Sequence, residues 1–200
     1  KGHYAVVATN VISLKFIYAC LKAAKEANAP IILAVTTTAL QGIGDEAMFA
    51  KVCSMAIKQM KMKQPVVIHL DHGKYEPAIA AIKAGFSSVM FDGSALPFAE
   101  NIKKTKYIVE LAKKYGCSTE AEVGPIGGKE DNAKGASGEM ADVNECVKMT
   151  KLGISCLAAG IGNIHGIYPA NWKGLNFERL TEIAKAIGHK PIVLHGGTGI

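Results

Sequence analysis

The sequence has little arginine, little tryptophan and no long apolar run. Its 200 residues include one Trp and, among 23 basic residues, a single arginine, Arg179. No apolar stretch approaches the roughly 20 residues needed to span a bilayer. The first residues do not form a charged segment that leads into an apolar one, as a signal peptide would. These absences predict a soluble, cytoplasmic protein without a membrane partner.

The cysteines do not form any recognisable pairing pattern. There are five of them, an odd number, and no two are spaced as C-x-x-C. Each lies in an apolar helix or strand pattern, so neither a disulfide framework nor a zinc ribbon fits. We interpret them as reduced thiols of the core, namely Cys20, Cys53, Cys117, Cys146 and Cys156.

The net charge of +6 comes mostly from lysines that are spread over helical patterns. A nucleic-acid site would more often show clustered arginine with aromatic residues, so no nucleic-acid partner is expected. The surplus of positive charge would instead help to draw an anionic substrate. With 49% hydrophobic residues the chain can bury one substantial core, which predicts a single domain.

Short apolar runs alternate with amphipathic stretches along the whole chain, a pattern typical of repeated βα units. We predict seven strands, at residues 5–10, 31–36, 66–71, 87–92, 118–123, 155–160 and 192–195. Helices are predicted after Ser13 and Asp45, which are suited to capping them, and over residues 75–84, 99–115, 142–152 and 177–187.

Two α/β folds fit this alternation, an open doubly wound sheet and a (β/α)8 TIM barrel. The G-x-G-x-x-G fingerprint of a dinucleotide fold is absent after the first strand, which favours the barrel. We therefore expect one barrel domain over residues 1–200. Because the chain stops at Ile200 directly after strand seven, the expectation is a barrel truncated at its C-terminus and lacking its last strand.

Polar side chains follow the predicted strands where each of them ends. In a barrel the active site lies at the C-terminal ends of the strands, so these side chains are expected to lie near one another. They are Asn10, Thr36, Asp71, His72, Asp92, Glu120, Glu122, Asn163, His165 and His195.

Three of these residues, His72, His165 and His195, form a candidate metal site. One histidine alone is more often a hydrogen-bonded structural residue, but three imidazoles at one rim can fill three of zinc's four positions and leave one open. Asp92 and Glu122 fit either as hard oxygen ligands or as partners that orient an imidazole. The alternative is that these two carboxylates cap the following helices.

Two glycine-bearing segments are candidate substrate elements. The segment from His195 to Gly199 resembles a phosphate cradle, because glycines expose backbone N–H groups and Thr198 adds a hydroxyl. A plain glycine-rich turn is the alternative. Residues 127–139 form the longest polar stretch without periodicity, which fits a mobile lid and a solvated surface loop about equally.

Taken in order, these motifs resemble the class II, zinc-dependent ketose-bisphosphate aldolases. The resemblance covers nearly the whole chain and is carried by Asn10 together with residues 69–73, 92–94, 96–98, 120–124, 127–131, 162–166 and 194–199. It implies a (β/α)8 barrel that forms a homodimer or homotetramer. It also implies a glycolytic lyase that cleaves fructose or tagatose 1,6-bisphosphate, a phosphorylated ketose, to dihydroxyacetone phosphate and glyceraldehyde 3-phosphate.

The resemblance also assigns roles to residues. It implies that His72, His165 and His195 bind catalytic Zn²⁺, that Asp71 is the acid/base at the C4 hydroxyl, and that Glu130 transfers a proton at the triose carbon. Asp92 and Glu122 match a second metal position, for a second divalent or a monovalent cation. Substrate contacts are implied for Asn10, Thr36, Gly166, Gly196, Gly197 and Thr198.

Three alternatives to a fructose-bisphosphate aldolase remain open from the sequence. Tagatose bisphosphate differs from fructose bisphosphate only at C4, so the same motifs suit both substrates. A Schiff-base aldolase would need a lysine in a core strand, and residues 155–160 contain none. A truncated barrel that binds metal without turnover is the third.

Overall fold

The structure is a computed structural model, and it describes residues 4–128, 140–198 and 200. The chain divides into two compact units. Unit 1 comprises Lys1–Met90 and Tyr115–Cys117, and unit 2 comprises Phe91–Lys114 and Ser118–Ile200. The expectation of a single domain over residues 1–200 stays a prediction.

Unit 1 alternates strands and helices. Its elements in chain order are β1 (Ala8–Asn10), α1 (Leu14–Glu26), β2 (Ile31–Thr36), α2 (Thr37–Leu40), α3 (Glu46–Gln59), β3 (Val66–Gly73), α4 (Tyr75–Ala84) and β4 (Ser88–Phe91), of which β4 has its first three residues in this unit. Ser13 and Asp45 cap α1 and α3 as predicted, because their side chains accept hydrogen bonds from backbone N–H groups of the first turn.

The paired strands of unit 1 run parallel, so their carboxyl ends lie at the same edge of the sheet. β1 pairs with β2 so that Asn10 lies opposite Ala34, and β2 pairs with β3 so that Thr36 lies opposite Asp71. The Ser87 N–H donates to the Ile68 carbonyl at 3.1 Å, which brings the start of β4 beside β3. Asn10, Thr36 and Asp71 therefore lie along one edge of this sheet.

The core of unit 1 is packed between its sheet and its helices. Its fully buried side chains include Ile17, Leu33, Phe49, Leu70 and Ile82. The rings of Phe49 and Phe86 stack with centroids 5.6 Å apart. Such burial supplies most of the stabilising free energy of a helix that is too short to persist alone.

Unit 2 continues the alternation. Its elements are α5 (Phe98–Tyr115), β5 (Ser118–Val123), β6 (Gly127–Gly128), α6 (Val143–Thr150), β7 (Cys156–Ala159), β8 (Ile164–His165), α7 (Phe177–Ile187) and β9 (Ile192–Val193). β5, β7 and β9 are paired in parallel, with Glu120 opposite Cys156 and Leu157 opposite Ile192. A separate parallel pair joins β6 to β8, with Gly128 opposite His165.

The core of unit 2 lies under the sheet formed by β5, β7 and β9. It includes Val109 of α5, Met149 of α6, Leu157 of β7 and Ile183 of α7, all fully or nearly fully buried. No helix among the described residues is both long and apolar enough to cross a membrane.

Three short elements were not predicted, and four strands, β1, β4, β7 and β9, are shorter than predicted. The paired strands β6 and β8 contain two residues each, and α2 forms one turn that is capped by Thr36. β1 begins at Ala8, and two of its three residues are exposed. Of the predicted loop at residues 127–139, Gly127 and Gly128 form β6, and residues 129–139 lie outside the described part of the chain.

Candidate active site

The carboxyl end of β3 carries a buried acid and a buried base. Asp71 is 6% exposed and His72 is 3% exposed, and the Asp71 Oδ1 lies 3.9 Å from the His72 Nε2. The Nδ2 of Asn10 donates a hydrogen bond to the Asp71 Oδ2 at 2.9 Å. Asn10 therefore fixes the direction in which the Asp71 carboxylate points.

The backbone at this strand end is strained at His72 and crowded at Gly73. His72 has φ +45°, a left-handed conformation that is uncommon for a residue with a side chain. Gly73 is required for a different reason, because a Cβ there would lie 2.5 Å from the Leu70 Cδ2 and 2.8 Å from the Met90 carbonyl oxygen. Strain of this kind is concentrated at functional sites.

Thr36, predicted as a substrate contact, has a local structural role in unit 1. It lies opposite Asp71, and its Oγ1 accepts a hydrogen bond from the Ala39 N–H at 3.2 Å. This bond caps the short helix α2. The structure thus places Thr36 at the predicted edge beside Asp71 and shows a capping function there.

Two of the three predicted zinc ligands lie together within unit 2. One ring nitrogen of His165 and one of His195 are within 4.8 Å of each other, and the ring centroids are 5.8 Å apart. His165 ends β8 and is buried, and His195 follows β9 with a side chain that is 10% exposed. The third predicted ligand, His72, belongs to unit 1.

The imidazole of His195 is oriented by Glu120. The His195 Nε2 and the Glu120 Oε1 are 2.8 Å apart, and both side chains are at least nine-tenths buried. The Cys156 thiol donates to the other oxygen, Oε2, at 3.6 Å. Burial, and next the Glu120 charge, raise the pKa of that thiol, so it remains a protonated donor. With a carboxylate on Nε2, the Nδ1 of His195 would be the nitrogen available to a metal ion.

Asp92 and Glu122 form a carboxylate pair in unit 2. One oxygen of each lies within 4.8 Å of the other. The Asp92 Oδ1 accepts from the Ser94 N–H at 3.0 Å and from the Ser94 hydroxyl at 2.7 Å, and the Glu122 Oε1 accepts from the Ile126 N–H at 3.0 Å. Both carboxylates thus organise the loops that follow their strands, and both remain candidates for a cation site.

Among the glycines after His195, Gly196 could not be replaced by any other residue without a shift of the backbone. Gly196 has φ +71°, and a Cβ there would lie 2.1 Å from the Ile164 carbonyl oxygen. Gly197 and Thr198 are exposed, as is Gly166 on the other side of the histidine pair. The backbone of Gly196 therefore lies against that of Ile164, and the chain then continues into an exposed loop. This arrangement is compatible with a phosphate cradle.

The donor set is suited to zinc. Neutral imidazole is a preferred zinc ligand, and a carboxylate on the second ring nitrogen is the usual support of such a ligand. Two ligands at zinc–nitrogen bond lengths in a tetrahedral site are about 3.3 Å apart. One nitrogen of His165 and one of His195 lie within 4.8 Å of each other, close enough for both to be candidate ligands of one ion.

Two residues with clear contacts at the site were not assigned roles from the sequence. Glu120 shares one strand face with Glu122 because side chains alternate along a strand, and this spacing was the available signal. Asn163 is fully buried, and its Nδ2 donates to the His195 carbonyl at 2.9 Å. Glu130 lies outside the described residues.

Comparison with known proteins decides the family. The model of the family described as "Fructose-bisphosphate aldolase class-II" matches residues 1–200. The chain belongs to the class II fructose-bisphosphate aldolases. A fructose-bisphosphate aldolase of Ureaplasma parvum serovar 3 is 52% identical, and one of Mycoplasma genitalium is 49% identical; both matches cover 100% of this chain and 68% of the relative.

The likeness extends to the solved structure of an aldolase. The YdjI aldolase from Escherichia coli K12 superimposes with a TM-score of 0.82 at 32% identity, over 99% of this chain and 69% of that one. The prediction of a (β/α) barrel rather than a doubly wound sheet is thereby confirmed. Membership of the class II aldolases makes the chain a metal-dependent lyase of the aldehyde-lyase type.

Proposed function

We propose that this chain catalyses the reversible aldol cleavage of fructose 1,6-bisphosphate to dihydroxyacetone phosphate and glyceraldehyde 3-phosphate. The observation that carries the proposal is the family match over residues 1–200 together with the imidazole pair of His165 and His195. We further propose that it works in the cytoplasm, in glycolysis, as a homodimer or homotetramer.

His72, His165 and His195 are proposed to hold Zn²⁺. When bound, the metal would supply a Lewis acid at the ketone oxygen of the substrate. The hydrogen bond between His195 and Glu120 supports this assignment, because it fixes the ring and its tautomer. Asp92 and Glu122 are proposed to hold a second divalent or a monovalent cation.

Asp71 is proposed to take the proton from the C4 hydroxyl during cleavage and to return it during synthesis. A general base must be ionised and must point at the proton it removes. The bond from the Asn10 amide serves both needs, since it stabilises the carboxylate form and fixes its direction. Glu130 is proposed, from the family resemblance, to move the proton at the triose carbon.

The remaining proposed contacts bind the substrate. Backbone N–H groups of Gly196 and Gly197 and the Thr198 hydroxyl suit a phosphate group. Asn10, Thr36 and Gly166 complete the proposed substrate contacts. The net charge of +6 favours approach of a ligand that carries two phosphates.

A coupled assay of triose phosphate release tests the proposal. Fructose and tagatose 1,6-bisphosphate are each supplied to the chain, with and without a metal chelator. We expect release from the fructose sugar, abolished by prolonged chelation. Faster release from the tagatose sugar would reassign the substrate, and zinc binding without any release would make the chain a non-catalytic metal binder. Trapping by borohydride in the presence of substrate would instead indicate a Schiff-base lysine.

A further inference from the structure

We infer that Tyr168 is a positioning residue that holds the His165 and His195 strand ends at the separation needed to bind one metal ion. The inference rests on the proposed zinc-binding function of these two histidines. It concerns a side chain that need not touch metal or substrate and that acts through the backbone on either side of the two ligands.

The Tyr168 hydroxyl makes two hydrogen bonds, one to each strand end. It accepts from the Ile164 N–H at 3.1 Å and donates to the Gly196 carbonyl at 2.9 Å. Ile164 directly precedes His165, and Gly196 directly follows His195. One hydroxyl therefore joins the residues adjacent to both proposed ligands.

Buried Asn163 adds a second connection between the same strand ends. Its Nδ2 donates to the His195 carbonyl at 2.9 Å, while its Oδ1 accepts from the Ile161 N–H at 2.9 Å. Because Asn163 and Tyr168 bond to adjacent peptide groups, His195 and Gly196 are held against the β8 segment by two successive carbonyls. These two bonds thus fix the orientation of residues 195 and 196 as well as their distance from β8.

Trp172 supports the Tyr168 ring. The two ring centroids are 4.0 Å apart with the planes inclined at 46°, and the indole Nε1 donates to the Gly162 carbonyl at 2.8 Å. Both aromatic residues of the pair are therefore anchored to backbone, since Trp172 bonds to Gly162 and Tyr168 bonds to Ile164 and Gly196. The phenol has little freedom to leave its two backbone partners.

A fixed separation matters because two imidazoles bind one metal ion tightly only if the free protein already holds them close to the bound geometry. Some residues contact the metal ligands without contacting the metal, and mutation of such a residue typically lowers metal affinity by 10–100-fold. Removal of the Tyr168 hydroxyl frees both backbone groups at once, while the remaining ring still packs on Trp172.

The test compares zinc affinity in three full-length proteins, measured by competition with a chromophoric chelator. Tyr168→Phe removes only the hydroxyl. Tyr115→Phe is the matched control, since Tyr115 is 54% exposed at the end of α5. We expect the dissociation constant for zinc to rise about tenfold in Tyr168→Phe and to stay within twofold of the original in Tyr115→Phe. Emission from Trp172, the one tryptophan of the chain, gives a second reading of the same titration.

The result that overturns the inference is a Tyr168→Phe protein that binds zinc as tightly as the original chain. Melting temperatures of the metal-free proteins identify a purely structural role, which would lower the melting temperature and leave the zinc affinity unchanged. If the original chain and Tyr115→Phe both fold but neither binds zinc, the proposed function itself fails. The two failures are therefore distinguishable.

Discussion

Asp71 is buried, and its carboxylate accepts a hydrogen bond from the Asn10 amide at 2.9 Å. A buried carboxylate is costly unless hydrogen bonds or charges compensate it, so this contact holds both its position and its ionised form. The same substitution made at Asp71 and at a distant aspartate separates the chemical role from a general effect on the fold.

We predict that Asp71→Asn lowers turnover of fructose 1,6-bisphosphate by about 10²–10⁴-fold, because a positioned general base contributes on that scale. Zinc content should be unchanged, since Asp71 is not a proposed ligand. Asp45→Asn is the control, because asparagine caps a helix as well as aspartate and Asp45 only caps α3. Turnover and bound zinc are measured in both variants. Near-normal turnover in Asp71→Asn would remove Asp71 from the proton transfer.

The thiol of Cys53 is fully buried, and burial raises its pKa to about 12 from an ordinary value of 9.0. Above pH 9 the unfolded chain therefore loses this proton while the folded chain keeps it. Stability from this residue is present below pH 9 and is lost as the pH rises toward 12.

We predict that Cys53→Ala is less stable than the original chain at pH 7, because the substitution leaves a cavity. Between pH 9 and 11 its free energy of unfolding should fall less steeply, by up to about 1.4 kcal/mol per pH unit, since one coupled proton is absent. Denaturant unfolding at several pH values measures both slopes. If the free energy of unfolding fell with pH at the same rate in Cys53→Ala and in the original chain, Cys53 would not titrate as described. Cys20→Ala, at a partly buried thiol, is the control.

His72 shows why some features of the site could not be predicted from the sequence. Glycine is the residue that most readily adopts a left-handed conformation, and Gly73 directly follows His72. The structure places φ +45° on His72 and requires Gly73 for its missing Cβ, because Leu70 and the Met90 carbonyl approach closely. That approach depends on tertiary packing, which no local pattern encodes.

At the scale of elements, the close contact between Gly196 and β8 is a specific structural requirement. The missing Cβ at Gly196 allows the Ile164 carbonyl to approach, and φ there is +71°. Gly188, at the end of α7, has nearly the same φ of +68° but open space around the missing Cβ. The two positions thus differ in steric clash while sharing backbone strain.

We predict that Gly188→Ala costs about 1–3 kcal/mol of stability through backbone strain alone, because its φ of +68° and ψ of −128° lie in a region that residues with a Cβ rarely adopt. Gly196→Ala should cost more and should also weaken zinc binding, because the clash displaces the backbone beside His195. Thermal or denaturant unfolding and a zinc titration of both variants make the comparison. Equal losses of stability together with equal zinc affinities would show that the approach of Gly196 to β8 is not required.

Elements with strong periodicity were the most predictable. The helices at Tyr75–Ala84 and Phe177–Ile187 have the predicted bounds, because each combines apolar spacing with a glycine at its end. The two-residue strands β6 and β8 carry no periodic signal, since their pairing depends on loops that meet in space. His165 is a candidate ligand from the sequence because it follows the strand predicted at residues 155–160, whereas β8, which contains it, was not predicted.

At the scale of the molecule, the order of the motifs along the chain was the sequence feature that best predicted the fold and the family. Strand ends rich in histidine and acid, distributed from residue 10 to residue 198, indicated the fold and the family together. The contacts that support the site residues were harder to predict from the sequence. Glu120 could be anticipated from its spacing to Glu122, whereas the Tyr168 hydroxyl and the Cys156 thiol reach their partners only in the folded chain.

The measurement that tests the central claim most directly is a zinc titration of the metal-free chain, followed by release of triose phosphate from fructose 1,6-bisphosphate. We predict no release without metal, and a rise that ends at one zinc ion per chain, because three histidines provide one catalytic position. Full activity in the metal-free chain would contradict the assignment of His72, His165 and His195.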